Sequence, residues 1–306
     1  MPALLPLLTL LLATSLVPAR RSGAEPELGL VHWGRDLDQA LATSRASGRP
    51  ALVLFDEVPG CATCVGFGHE VLSHPLLVEA IEHEFVPVFV ANNRGGRDAE
   101  QLTRFGEPAW NNPVVRFLDG RGADVLARRD GLYSAHEIAG RLISALRAAD
   151  RPVPGYLAIA EEESQRAHRR ETTFVMGCFW EGEARLGALA GVLDVRAVHT
   201  ARGEGVRVTY DESRLSRETL ARMAAEQRCA LDRGDAGGTR VAGGSDHLHA
   251  LALSPLRAIE LTPMQAMRVN SALAAGGDGL EWLTPSQREQ ARSLTPTGTQ
   301  RSAQIQ

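Results

Sequence analysis

Apolar and polar positions change period several times along the chain, and each change marks an element. "DLDQALATSRASG" (36–48) carries apolar residues at helical spacing, and "PALVLFDEV" (50–58) is a continuous apolar run of the kind a buried central strand shows. A helical pattern follows through "VLSHPLLVEAIEHEF", interrupted near Pro75, and "FVPVFVANN" reads as the next strand. "DAEQLTRFG" predicts a helix, "PVVRFLD" and "ADVLARR" a pair of strands, and "SAHEIAGRLISALRAA" a closing amphipathic helix. An opening helix followed by the order βαβαββα predicts an α/β domain over residues 30–150, its parallel-then-antiparallel sheet covered on both faces.

A second series of period changes begins after residue 170. "ETTFVMG" reads as a strand, "CFWEGEARLGALAG" as a helix, "VLDVRAVHT" and "GVRVTYD" as strands, and "SRETLARMAAEQ" as a helix. "HLHALAL" predicts a further strand, and "TPMQAMRVNSALAA" a helix with Thr262 at its N-cap and Pro263 at its first position. The βαββαβ order predicts an α+β domain over 171–275, a ferredoxin-like sandwich of split βαβ type. Between the two domains, residues 151–170 begin with prolines and end in a charged run, which predicts a linker whose charges form a solvated helix face. Residues 295–306 are polar and are expected to be disordered.

Composition adds limits. The chain has 306 residues, 44% of them hydrophobic, enough for two cores. Its net charge is −4, all of its basic residues are arginine, and they are interspersed with acids. Without a basic stripe, no nucleic-acid partner is expected. The apolar run "LLPLLTLLLATSLV" is too short to span a membrane comfortably and has the length of a signal-peptide core, with "SGA" at 22–24 suited to cleavage. Residues 1–24 are therefore read as a signal peptide, giving an exported protein, periplasmic or secreted, with no stable membrane span after processing; a retained anchor is the alternative.

Export changes how the four cysteines read, since in an oxidising compartment an even number is simply two structural disulfides. Domains of this size do not need such staples. Cys61-Ala62-Thr63-Cys64 falls where the first strand meets a helix, so N–H groups of the first turn stabilise a thiolate at Cys61, and Cys64 is placed to resolve a mixed disulfide. The same spacing serves zinc, but no second CxxC or CxxxH pair accompanies it, so no metal is predicted and no cofactor beyond the thiols. Gly177-Cys178-Phe179-Trp180 puts another thiol at a helix start beside two rings, an apolar pocket fit for a methyl thioether. The plainer alternative is that all three side chains belong to the core.

Two resemblances follow from these motifs. The first domain resembles the thioredoxin-like superfamily, and within it a group marked by Val-Pro-Gly-Cys-x-Thr, here Val58 to Thr63, some members of which carry selenocysteine at the first redox position. That likeness implies nucleophilic chemistry at Cys61 and a cis-proline at Pro113 facing the redox pair. The second domain resembles the peptide methionine-S-sulfoxide reductase A family through Gly-Cys-Phe-Trp and the following Glu181-Gly182-Glu183. This resemblance implies that Cys178 attacks the sulfoxide sulfur, that Phe179 and Trp180 bind the substrate, and that Glu204 in "RGEGVRVTYD" donates the proton. Where the family has His-Asp-Pro this chain has Arg228-Cys229-Ala230, and Asp246, His247 and His249 stand near the place of a family tyrosine.

Such chemistry leaves a sulfenic acid that another thiol condenses to a disulfide, and Cys229 is the candidate within that domain. The expected function is reduction of methionine-S-sulfoxide, in peptides, proteins or free form, with electrons passed through Cys61 and Cys64 from an upstream thiol reductant. Two alternatives stand beside it: a thiol–disulfide reductase or isomerase whose second domain only binds substrate, and a module that recognises methionine-rich or oxidised segments without turnover.

Overall fold

The structure is a computed structural model that describes residues 25–110, 113–228, 230–231 and 239–294. The expected signal peptide, the expected disordered tail and Cys229 lie outside the described residues. No helix among the described residues is long and apolar enough to cross a membrane.

In the first half, α1 (Leu37–Ser47) is opened by Asp36, whose carboxylate accepts the Gln39 N–H, and closed by Gly48 in the left-handed region. Strand β1 (Ala51–Asp56) is buried at all six positions, as its unbroken apolar run requires. Helices α2 (Ala62–Glu70) and α3 (Pro75–Glu84) lead to β2 (Val86–Ala91), which pairs parallel to β1. After α4 (Arg97–Phe105), β3 (Val114–Leu118) pairs antiparallel to β1, giving the order β2-β1-β3. Helix α5 (Ala135–Ala148) begins with a reciprocal capping box between Ser134 and Glu137.

The strand expected at "ADVLARR" does not form. Among the described residues, pairing beyond β3 consists of a bridge between Leu118 and Asp124, with the Asp119 N–H on the Ala123 carbonyl and the Val125 N–H on the Phe117 carbonyl, each at 2.8 Å. The chain then leaves the sheet because Arg128 turns to the buried Glu107, donating to its two oxygens at 2.7 and 2.8 Å.

The stretch read as a linker corrects the picture most. Residues 155–164 form α6 (Gly155–Ser164), whose Tyr156, Leu157, Ile159 and Ala160 are buried. Its charges are engaged rather than solvated: Arg214 donates to Glu161 at 2.7 Å and to Glu162 at 3.2 Å, and Arg268 reaches Glu162 at 3.3 Å. One hydrophobic cluster runs from β1 and α5 through α6 into the second half.

That second half contains β4 (Arg169–Val175), α7 (Phe179–Gly187), β5 (Val192–Thr200), β6 (Gly203–Asp211), α8 (Arg217–Glu226), β7 (Ala230–Leu231) and β8 (Arg240–Val241). The sheet order β7-β4-β6-β5-β8, antiparallel throughout, contains the split βαβ arrangement expected. The closing strand of that arrangement is β7. "HLHALAL" is not a strand but contains the short α9 (His249–Ala252), because the buried Glu183 takes the Leu248 N–H at 2.8 Å and Asn270 takes the Leu251 N–H at 3.1 Å. Helices α10 (Pro263–Ala274) and α11 (Pro285–Leu294) complete the fold, and Ser286 of α11 bonds Glu79 of α3 across the two halves.

Candidate functional site

Two thiol centres form, each where a strand hands over to a helix. At the first, Cys61 is the N-cap of α2 and exposed, while Cys64 is buried one turn inside, their sulfurs 3.0 Å apart as free thiols. The Cys64 thiol, with the N–H groups of Cys64 and Thr63, holds Cys61 below its ordinary 9.0. Burial above all, then the neighbouring Cys61 and Asp56, pushes Cys64 far upward. The pair thus joins an accessible thiol favoured as thiolate to a buried thiol held protonated.

Asp56 is the acidic side chain beside Cys64. It ends β1, is fully buried, and has the Cys64 thiol as neighbour. Burial raises its pKa from 3.8 to about 6, against the lowering effect of Cys64 and of the Glu57 N–H. Its Oδ1 accepts that N–H at 2.8 Å, and its Oδ2 has no hydrogen-bond partner among the described residues. Sequence reading missed Asp56; the available signal was a single carboxylate closing an otherwise apolar strand.

The loop between Asp56 and Cys61 is held from two sides. Asn93 accepts the Val58 N–H at 3.4 Å and donates to the Pro59 carbonyl at 3.3 Å, and Glu27 accepts the Gly60 N–H at 2.7 Å. The Val58–Pro59 peptide is cis. Gly60 is required here, since a Cβ would stand 2.7 Å from that of Cys64. Pro113 precedes β3, whose Val114 pairs with Phe55, so it sits at the end of the sheet where Asp56 lies. The peptide bond before Pro113 involves Asn112, outside the described residues.

At the second centre, Cys178 is the N-cap of α7 and half-buried. Antiparallel pairing of β4 with β6 sets Val175 opposite Gly205, which carries Glu204 to the start of α7. There its Oε2 accepts the Phe179 N–H at 2.8 Å and its carbonyl accepts the Met176 N–H at 3.0 Å. Phe179 is buried, and Trp180 keeps 39% of its surface exposed. His199 meets Phe179 edge-on at 5.6 Å, and His249 stacks on Trp180 at 3.9 Å.

His247 and His249 are therefore ordered members of the site's surroundings. His247 bonds Glu183 at 2.7 Å, and Glu183, fully buried, also accepts the Ala197 N–H at 2.8 Å. Ala230, the chain neighbour of Cys229, pairs with Val175, three residues before Cys178.

The structure thus brings Cys61 to Cys64, and Glu204 to the Phe179 N–H at the start of α7, next in the chain to Cys178. No hydrogen bond, ion pair or ring contact among the described residues joins the two centres. A cleft of about 1740 Å³ between the halves is lined by His74, Glu163, Arg169, Asp194 and Arg196 among others, and by none of Cys61, Cys64 or Cys178. Cys178 follows the far end of β4 from Arg169, roughly 20 Å along the strand. Among the described residues no group of His, Cys, Asp and Glu side chains is arranged to hold a metal ion.

A family model described as thioredoxin-like matches residues 32–120. Those residues form a thioredoxin-like domain. No curated protein matches the chain. Among solved structures, one described as "DsbH Oxidoreductase" is similar over 42% of this chain and 92% of its own, at 16% identity and a TM-score of 0.33, a likeness too slight to bear on function.

Proposed function

We propose that this protein is a thiol oxidoreductase, and that the observation carrying this reading is the exposed Cys61 beside the buried Cys64 and the buried Asp56. The Cys61 thiolate attacks one sulfur of a disulfide, forming a mixed disulfide and expelling a thiolate that takes a proton from water. Cys64 then gives its proton to the Asp56 carboxylate and attacks the Cys61 sulfur. This forms the Cys61–Cys64 disulfide and releases the second substrate thiolate. Two electrons have passed to the substrate, and an upstream dithiol returns them.

At the finer level, the acceptor is methionine-S-sulfoxide reduced at Cys178. The Cys178 thiolate attacks the sulfoxide sulfur while Glu204 gives a proton to its oxygen; the hydroxyl then passes to the Cys178 sulfur as the new S–S bond and the original S–O bond break, releasing the thioether and leaving Cys178 as a sulfenic acid. Cys229 condenses with it, releasing water, and the resulting disulfide is the substrate for Cys61. Support comes from the register of β4 and β6, which carries Glu204 to the start of α7 where Cys178 stands, and from the adjoining rings of Phe179 and Trp180. Export, inferred from the apolar N-terminal run, would place this repair outside the cytoplasm.

One observation favours a second reading, disulfide exchange with the second half as a substrate-binding module: the two centres share neither a contact nor the cleft. A Cys178→Ser variant separates the two. Loss of methionine sulfoxide turnover with Cys61 reactivity intact supports sulfoxide reduction. Absence of turnover in both forms, with disulfide reduction unchanged, supports the binding module.

A further inference from the structure

The redox loop is held by a residue from outside the matched thioredoxin-like region. Residues 26–28 form a single helical turn that lies against α2. The approach is so close that a Cβ at Gly68 would run into the Pro26 carbonyl oxygen. Gly29 and Leu30 continue the seam, the Leu30 N–H donating to the Leu72 carbonyl at 2.8 Å. This docking buries Glu27, 4% exposed, with its Oε1 2.7 Å from the Gly60 nitrogen, the residue before Cys61. Glu27 is also close enough to Asp56 for its charge to oppose ionisation there, as does Glu57.

We propose that Glu27 is a positioning residue for the Cys61–Cys64 pair, anchoring the Gly60 amide and setting, as a second carboxylate beside Asp56, the charge against which Cys64 gives up its proton. The inference rests on the thiol reading above. Other titratable groups on the elements packed here are Glu57 in the loop and Cys64 on α2, which act on Asp56, Cys61 at the start of α2, His69 and Glu70 in the last turn of α2, and Arg94, which pairs with Glu25 at 3.8 Å. None places a cation on Glu27 or Asp56 within ion-pair range among the described residues.

The test reads the rate of reduction of a small aromatic disulfide, and of Cys61 alkylation by iodoacetamide, from pH 5 to 8 on the full reduced chain. Glu27→Gln keeps an oxygen for Gly60 and removes the charge. The inflection tied to Asp56 should move to lower pH by roughly half a unit to one unit. In an Asp56→Asn background the same substitution should produce no such movement. Gly68→Ala, which leaves Glu27 intact but displaces the segment that carries it, should lower the rate across the whole pH range. A reactive pair whose profile is identical in Glu27→Gln, or whose profile moves equally with Asn at position 56, overturns this inference alone. A wild-type Cys61 that reacts with neither reagent overturns it together with the thiol reading.

Discussion

Replacing Asp56 by Asn should make the protein more stable and a poorer reductant at the same time. Asp56 is fully buried, and burial raises its carboxyl from 3.8 to about 6. Its folded-state proton affinity therefore exceeds that of the unfolded chain. Between those pH values the folded state holds a proton that the unfolded state has lost, so stability falls as pH rises through the window and levels off above it. At roughly 1.4 kcal/mol per tenfold in proton affinity, the loss amounts to about 3 kcal/mol. Asn cannot ionise and avoids it. Urea unfolding of the reduced chain, followed by tryptophan fluorescence from pH 4 to 8, should show the variant's advantage growing between pH 4 and 6. Above pH 6 its midpoint should lie higher by on the order of 1 M. Meanwhile Cys64 has lost its proton acceptor, so mixed disulfides on Cys61 should accumulate, visible by intact mass. An Asn variant whose advantage is the same at pH 4 as at pH 8 would refute the assignment of Asp56 as the buried acid.

Other outcomes follow from the same geometry. Alkylation of Cys61 should show a pH inflection below 9.0, and Cys64 should stay unmodified under conditions that label Cys61 fully, as peptide mapping would reveal. Glu183→Ala leaves the Ala197 and Leu248 N–H groups without their buried acceptor, costing roughly 3 kcal/mol in chemical denaturation. Leu157→Ala on α6 should cost about 3 kcal/mol, whereas a solvated linker would tolerate it within experimental error. Under the proposed sulfoxide reduction at Cys178, Glu204→Gln keeps an acceptor for the Phe179 N–H but has no proton to donate, so turnover should drop by roughly 100-fold in kcat with the fold intact.

Local pattern was enough for the elements whose partners lie close in sequence. The buried run Ala51–Asp56, the helix starts at Ser134 and Thr262, and the two thiols at strand–helix junctions could all be read from period and capping alone. Each depends on bonds within one turn or on alternation within one strand. The charged run at 161–163 reads as a solvated helix face of a linker, because a local window does not show which charges will be satisfied. Glu161 and Glu162 look solvated until Arg214 and Arg268, far along the chain, come to meet them.

What the chain by itself determined is therefore a set of elements and the chemistry of their ends: a CxxC at one helix start and a Gly-Cys-Phe-Trp at another. Tertiary structure decided the rest. It chose Ala230–Leu231 over 247–253 as the closing strand, brought Glu204 to the start of α7 through the register of β4 and β6, and set Asp56 beside Cys64 with Glu27 acting on Asp56. The physical reason is common to all of these. Strand register, burial and the field at a buried carboxylate are sums over neighbours from distant parts of the chain, and a local window of residues holds only its own terms.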